Sequence, residues 1–369
     1  MTKEELIGLQ ALPLEIKKNK SKLRIKEWIE NFGMEKIYIS FSGGVGSTAL
    51  LYLVNEVVRE MNLELGKNPK EDFIPALFVN TRNEFPEIVN HVYQMKACNN
   101  EKYKKCVRNF SYNDKRLVAD QIVIKTPEKK FNEILKETGY LIASKKTSRC
   151  ISDAQKLKSK YPDTYKTNER YLSLTNTKNQ FSVPLMYQKF IDSSIKVSAN
   201  CCHLLKHTVY AKYEKETGRC YPFTGEQAEE SFLRTKSYLS SGCNRYDATH
   251  PKSTPLGFWT SSDLLQYILE ENIPYAECYG DIVYKNSKVC TTGEKRTGCI
   301  ICTAGLGRES GMKENRYQRM ARKYPKHHKI MLQSLEEGGY GMKPVLDLMN
   351  VNYYPEKVFE LDELIEMYM

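Results

Sequence analysis

Two groups of residues in this 369-residue chain have types and spacing suited to chemistry. The first is Ser42-Gly43-Gly44-Val45-Gly46-Ser47-Thr48. Its glycines let the backbone turn tightly and aim N–H groups at an anion. A helix starting at its end would add positive dipole potential, and Ser47 and Thr48 would add hydroxyl donors. The expected chemistry is phosphate binding. The second group is Cys201-Cys202 together with Cys299-x-x-Cys302, the latter following the turn Thr297-Gly298. Four thiolates from two short segments can hold a [4Fe–4S] cluster or tetrahedral zinc. An adjacent pair is unusual for structural zinc, because neighbouring side chains diverge; unliganded thiols are the third alternative. His203 and His207 lie close by and read as structural donors rather than ligands. The chain has 11 cysteines, an odd count, which points to thiol or metal chemistry rather than a disulfide framework.

Around these groups the chain reads as an alternating α/β protein. Residues 14–32 have helical spacing, with Leu23, Ile25, Trp28 and Ile29 assigned to one face and Gly33 as the stop. IYISF (37–41) reads as a short buried strand, and residues 49–65 as a long helix after the glycine loop. Further strands are expected at 73–80 and 120–127, with helices from Pro86 to about residue 97 and across KKFNEILKETGY. Strands alternating with helices imply a parallel twisted sheet with helices on both faces, which binds ligands at the carboxyl ends of its strands. Residues 150–220 are rich in Lys and Tyr and less regular. A capped helix is expected over 259–272, then a glycine- and cysteine-bearing loop over 291–307. The expected division is a helical segment (1–33), a nucleotide-binding α/β domain (34–240), a cysteine-bearing section completing the site (241–310) and a helical tail (311–369).

Composition bounds the partners. Lys plus Arg less Asp plus Glu is 56 − 45 = +11, which suits an anionic partner such as nucleotide or nucleic acid. The segment 314–329 interleaves Arg, Lys, Tyr and His. It reads either as a phosphate-contacting surface or as a solvated helix with Tyr317, Met320 and Tyr324 turned inward. The closing segment, PEKVFELDELIEMYM, is an acidic amphipathic helix suited to docking on the core or on another subunit of a homo-oligomer. No apolar run approaches the ~18 residues of a membrane span. The charged N-terminus lacks the apolar core of a signal peptide, so the expectation is a cytoplasmic protein with no membrane partner.

The segment YISFSGGVGSTALLYLV resembles the phosphate loop of the adenine nucleotide alpha-hydrolase (PP-loop) superfamily, whose pattern is Ser-Gly-Gly-x-Asp-Ser. More specifically it resembles the phosphoadenosine phosphosulfate (PAPS) reductase branch, in the form common in phage and mobile elements. Further matching blocks are LQALPLEIKKNKSKLRIKEW, LFVNTRNEFPEIVNHV, TPEKKFNEILKETGYLIASKKTSRCI, TGEQAEESFLR, TPLGFWTSSDLLQYI and TTGEKRTGCIICTAGLG. The resemblance implies a Rossmann-related fold with a cysteine-rich, mostly helical C-terminal section. Ser42, Gly43, Gly44, Ser47 and Thr48 would hold the phosphates, and Val45, Gly46, Asn80 and Thr81 belong to the same nucleotide-binding set. Phe41, Phe78 and Val79 would flank the adenosine. Lys145, Lys146 and Arg149 would supply phosphate or sulfate contacts, and Arg234 would lie near the substrate; Lys145, Arg149 and Arg234 are the residues expected to act on it. The paired cysteines plus Cys-x-x-Cys resemble the iron–sulfur ligands of sulfonucleotide reductases.

Three departures qualify what the resemblance implies. Gly46 replaces the Asp of the loop pattern, and Asn80 replaces the strand-end Asp of Asp-Thr-Gly. Both remove a carboxylate that a magnesium–pyrophosphate site would use. No Cys follows Cys302, where sulfonucleotide reductases carry a Cys-Gly-Leu-His tail with the resolving thiol. Two classes of function therefore stay open. One is an enzyme of sulfur chemistry that uses ATP or a sulfonucleotide, either reducing the latter or passing sulfur to an acceptor, with nucleic acid or a sulfur-donor protein as partner. The other is a catalytically impaired nucleotide- or nucleic-acid-binding regulator.

Overall fold

A computed structural model of the chain describes residues 1–97, 107–108, 116–118, 120–179, 181–247, 249–286, 288–309 and 312–355. The described strands are β1 (Ile37–Phe41), β2 (Ala76–Val79), β3 (Val107–Arg108), β4 (Ile122–Lys125), β5 (Tyr221–Thr224), β6 (Asn244–Arg245), β7 (Lys252–Ser253), β8 (Tyr275–Ala276), β9 (Ile282–Lys285) and β10 (Lys288–Thr291). The helices up to the middle of the chain are α1 (Lys3–Gln10), α2 (Leu14–Phe32), α3 (Val45–Glu64), α4 (Pro86–Ala97), α5 (Phe131–Thr138), α6 (Lys145–Lys160), α7 (Glu169–Thr175) and α8 (Lys189–Asp192). They are followed by α9 (Thr208–Thr217), α10 (Phe232–Ser241), α11 (Ser261–Glu270), α12 (Arg316–Lys323), α13 (Pro325–Leu332) and α14 (Lys343–Leu348). The chain forms two compact units: residues 1–127 with 208–299, and residues 128–207 with 300–369.

The first unit holds a six-stranded sheet in the order β4-β2-β1-β5-β7-β6. All pairings are parallel except β6 with β7. This is the parallel α/β architecture expected from the alternation of elements. Side chains alternate across β1: Ile37, Ile39 and Phe41 are fully buried on one face, while Tyr38 joins Leu77, Val79, Val209 and Tyr213 on the other. Helix α9 therefore covers the second face, and Tyr38 Oη donates to Glu214 on that helix at 2.7 Å. On the first face Trp28 of α2 packs against Phe223 of β5, with ring centroids 6.5 Å apart.

Helix α2 ends where Gly33 takes a positive φ of 80°. Its buried face is Leu14, Lys17, Ser21, Ile25, Trp28 and Ile29, and Leu23 is 59% exposed. Leu23 sits two residues from Ile25, about 200° round the helix, so it cannot share that face. Lys17 is buried despite its charge because Nζ reaches Asp263 Oδ2 and the Gln10 carbonyl, each at 2.6 Å. Helix α3 begins at Val45, four residues earlier than the apolar pattern suggests, so half of the glycine loop forms its first turn. Helix α11 is capped by Thr260, whose side chain accepts from Asp263 N.

The second unit contains α5 to α8 and α12 to α14. Ser144 caps α6 by accepting from Thr147 N at 3.0 Å. This helix occupies the start of the stretch that the sequence leaves irregular. Its inner face of Thr147, Ser148, Cys150, Ile151 and Ala154 is small and partly polar, which blunts the apolar signal. In α12, Tyr317 and Met320 are buried, while Arg316 and Arg319 pair with Glu309 and Arg322 pairs with Glu314. The basic tail thus packs its apolar stripe inward and neutralises much of its own charge. The expected closing helix lies, beyond residue 355, outside the described residues. Among the described residues no helix is long and apolar enough to cross a membrane.

Candidate functional site

The glycine loop is braced by its own serines. Ser47 Oγ accepts from Ser42 N at 3.1 Å and donates to the Gly44 carbonyl at 3.0 Å. Ser42 Oγ lies 3.0 Å from the same hydroxyl and accepts from Gly44 N at 3.4 Å. Gly43 has φ 72°, and a Cβ there would sit 2.7 Å from Val92 and 2.9 Å from Ile88, so α4 presses directly on the back of the loop. Gly44 is the N-cap of α3 and makes no side-chain cap bond. The 20-residue α3 therefore presents the Gly46 and Ser47 backbone N–H groups of its first turn and the positive end of its dipole at the loop.

The loop opens onto a cavity of about 670 Å³ built entirely within the first unit. It lies at the carboxyl ends of β1 and β5, where a parallel sheet of this kind binds ligands. Ser42, Gly44, Val45, Gly46 and Ser47 form one wall, Gly225 to Gln227 another, and Arg234, Lys295 and Arg296 bring three cations. Tyr279 ties loop to wall: its hydroxyl accepts from Val45 N at 3.3 Å and lies 2.6 Å from Thr297 Oγ1. Burial drives the Tyr279 phenol well above its ordinary range, so it stays protonated.

Three carboxylates line the same cavity, and each has a partner. Glu230 pairs with Arg234 and, at 2.9 Å, with Arg296. Glu226 pairs with Lys252 at 2.6 Å, and Glu229 accepts from the backbone and hydroxyl of Ser261. At the loop itself there is no room for another carboxylate. A Cβ on Gly46 would stand 2.9 Å from the Gly225 carbonyl oxygen, and one on Gly225 would meet Gly46 O at 2.7 Å. Two bare backbones meet there.

The expected site residues distribute as follows. Ser42, Gly44, Val45, Gly46, Ser47 and Arg234 line the cavity. Phe41 and Phe78 are buried in the core, as is Val79 in the cluster with Tyr38. Thr48 is fully buried, and its hydroxyl lies 3.3 Å from His91 Nε2 on α4, away from the cavity. Asn80 accepts from Arg82 N at 2.9 Å, while Thr81 is buried and bonded through both N and Oγ1 to Glu84. Lys145 and Arg149 belong to α6 in the second unit. The sequence singles out none of Gln227, Tyr279, Lys295 and Arg296 as a site residue, and Thr297 only as part of the turn before Cys299. The only signal for the last three was their place in the TTGEKRTGCIICTAGLG block.

Of the cysteines, Cys201, Cys202 and Cys302 lie in the second unit, and Cys299 closes the first. None of the four is in a disulfide with a described residue. Cys202 is held down at about 6, chiefly by a hydrogen bond with Cys201 and further by the charges of Lys145 and Lys206. Burial pushes the Cys302 thiol up, and the Cys202 charge adds to that. Among the described residues no group of three or more His, Cys, Asp or Glu is arranged to hold a metal ion. Their thiols are the donor chemistry that an iron–sulfur cluster or zinc would use.

The model of the phosphoadenosine phosphosulfate reductase domain family matches residues 36–155 and 145–305. No curated protein gives a significant match. Among solved structures, a crystal structure of phosphoadenylyl-sulfate (PAPS) reductase from Candida auris, as a phosphate complex, aligns over 78% of this chain and 98% of that chain, at 15% identity and a TM-score of 0.37.

Proposed function

This chain belongs to the phosphoadenosine phosphosulfate reductase domain family, and from that premise we propose that it is an enzyme binding an adenine sulfonucleotide in the cavity of its first unit. The observation that carries the reading is the cavity of about 670 Å³ with the phosphate loop on one wall and Arg234, Lys295 and Arg296 among its other lining residues. The loop amides and the start of α3 would take one anionic group. The guanidinium groups suit a second, because their planar fork matches phosphate and sulfate oxygens.

The charge arrangement favours a ligand that brings no magnesium. Glu226, Glu229 and Glu230 are already engaged, and the Gly46–Gly225 contact excludes the carboxylate that the loop pattern would place there. Hard divalent cations need such oxygens. Calorimetric titration of the full chain with phosphoadenosine phosphosulfate and with ATP, each with magnesium and with chelator, tests this reading. Sulfonucleotide binding that is indifferent to magnesium is expected. Strictly magnesium-dependent binding of ATP alone would contradict it. Sulfite release in the presence of a dithiol reductant would separate a reductase from a regulator that binds without turnover.

An iron–sulfur cluster on Cys201, Cys202, Cys299 and Cys302, with zinc as the alternative, is a separate proposal carried by donor chemistry alone. Its test is iron and acid-labile sulfide analysis after anaerobic purification, and nothing in the cavity reading depends on it.

A further inference from the structure

The net charge is spread unevenly along the chain. Residues 128–207 hold 15 Lys and Arg against 7 Asp and Glu, so 15 − 7 = +8 of the total +11 falls in this one stretch. Helix α6 of the second unit carries Lys145, Lys146, Arg149, Lys156, Lys158 and Lys160. At about 3.6 residues per turn, Lys145, Arg149, Lys156 and Lys160 fall within about 60° of one another and form a stripe along the whole helix. All four are exposed. The buried residues Thr147, Ile151 and Ala154 lie on the opposite side. With a rise of about 1.5 Å per residue, the stripe is about 22 Å long.

Little within the fold neutralises this stripe. Among the described residues no ion pair engages Lys145, Lys146, Arg149 or Lys160, and Lys156 only approaches Asp153 at 3.9 Å. The arginines of α12, by contrast, pair with Glu309 and Glu314. The first turn of α6 holds no acidic residue, and Lys145 and Lys146 stand there at the positive end of the helix dipole. Cations at that end cost stability, so their placement points to a use other than helix formation. Two exposed aromatic rings flank the stripe. Phe181 is 61% exposed, with Lys146 Nζ 5.4 Å from its ring centroid. Tyr161 is 39% exposed and directly follows the helix, with Lys160 Nζ 5.0 Å from its ring centroid. The Phe181 segment is tied to α6 by Cys150, whose Sγ donates to the Phe181 carbonyl at 3.5 Å.

We propose that this face of α6 binds single-stranded nucleic acid, with phosphates along Lys145, Arg149, Lys156 and Lys160 and bases stacked on Phe181 and Tyr161. The charges supply affinity that does not depend on sequence. The rings favour a strand whose bases are free to stack over a paired duplex. The proposal is independent of the nucleotide cavity, which is built within the first unit. The test uses Lys156 and Lys160, because the family resemblance gives neither a part in substrate binding.

Labelled oligo(dT) and oligo(rU) of about 12 nucleotides are titrated with the full chain across about 0.05–0.3 M salt, with fluorescence anisotropy as the readout. The wild type should bind, and the tighter of the two oligonucleotides identifies DNA or RNA as the source of the strand. The double variant Lys156→Gln, Lys160→Gln should lose more than about tenfold of affinity at about 0.1 M salt, and its log–log salt slope should flatten by about 1.4, or about 0.7 per phosphate contact. Phe181→Ala should lose about fivefold or more with the slope unchanged. Lys326→Gln, Lys329→Gln removes the same charge from exposed positions of α13 and should bind like the wild type. Wild-type affinity in the α6 double variant, or an equal loss in the α13 variant, would overturn the proposal. So would tighter binding of a duplex of the same length with Phe181→Ala unaffected, and so would binding of phosphatidylserine vesicles without binding of either oligonucleotide.

Discussion

At Gly46 the residue scale decides what this loop can be. Its backbone lies against that of Gly225, so a single added carbon meets a carbonyl oxygen 2.9 Å away. A carboxylate restored here would have to displace the β5 loop before it could meet any metal. The chain position alone reveals the missing Asp; the reason it is missing comes from a residue 179 positions later (225 − 46 = 179), which no local pattern signals. Gly46→Ala is therefore expected to destabilise the fold by about 1–3 kcal/mol, the usual cost of forcing atoms into a filled space. It should also weaken nucleotide binding, because the amides of the first turn of α3 must shift. Thermal unfolding and calorimetry on that one variant check both effects, and wild-type values for each would show that the contact is not binding on the loop. Lys295 and Arg296 escaped the sequence reading for a related reason. They sit on an aperiodic loop, and only the folded cavity shows that their charges converge with Arg234.

At the scale of elements, strand–loop–helix order was legible because β1 and α3 are strongly apolar, and ten of the twelve buried residues of α3 lie between Ala49 and Asn62. Boundaries and faces were less legible. Leu23 shows that one well-placed apolar residue can misassign a helix face, and Lys17 shows that a charge can belong to the core once Asp263 meets it. Helix α4 carries a consequence of its own. His91 is fully buried, its Nε2 lies 3.3 Å from Thr48 Oγ1, and burial holds it at about 3 against an ordinary 6.5. As pH falls below 6.5, the unfolded chain takes up a proton at this residue and the folded chain does not until about 3. Its contribution to stability is complete above 6.5 and is lost as the solution is acidified towards 3, at up to about 1.4 kcal/mol per pH unit. Melting temperatures of the wild type and His91→Gln, compared at pH 7 and pH 5, should show the smaller acid loss in the variant. Parallel losses would mean that His91 does not titrate as its burial requires.

At the scale of the molecule, the sheet order β4-β2-β1-β5-β7-β6 places the loop of β1 between those of β2 and β5, and the cavity opens on the β5 side. The alternation of strands and helices implied a ligand site at the carboxyl ends of the strands, whereas the strand order and the composition of the far wall were not legible. The net charge of +11 suits an anionic ligand, yet α12 shows how much of it is paired off within the fold. The central claim is that the uncapped start of α3 receives the anionic end of an adenine nucleotide. A crystal structure of the full chain grown with saturating adenosine 3′,5′-bisphosphate tests it most directly. The account predicts phosphate oxygens within hydrogen-bonding distance of the backbone amides of Gly44 to Ser47. Nucleotide density anywhere else, with the loop amides bonded only to water, would contradict it.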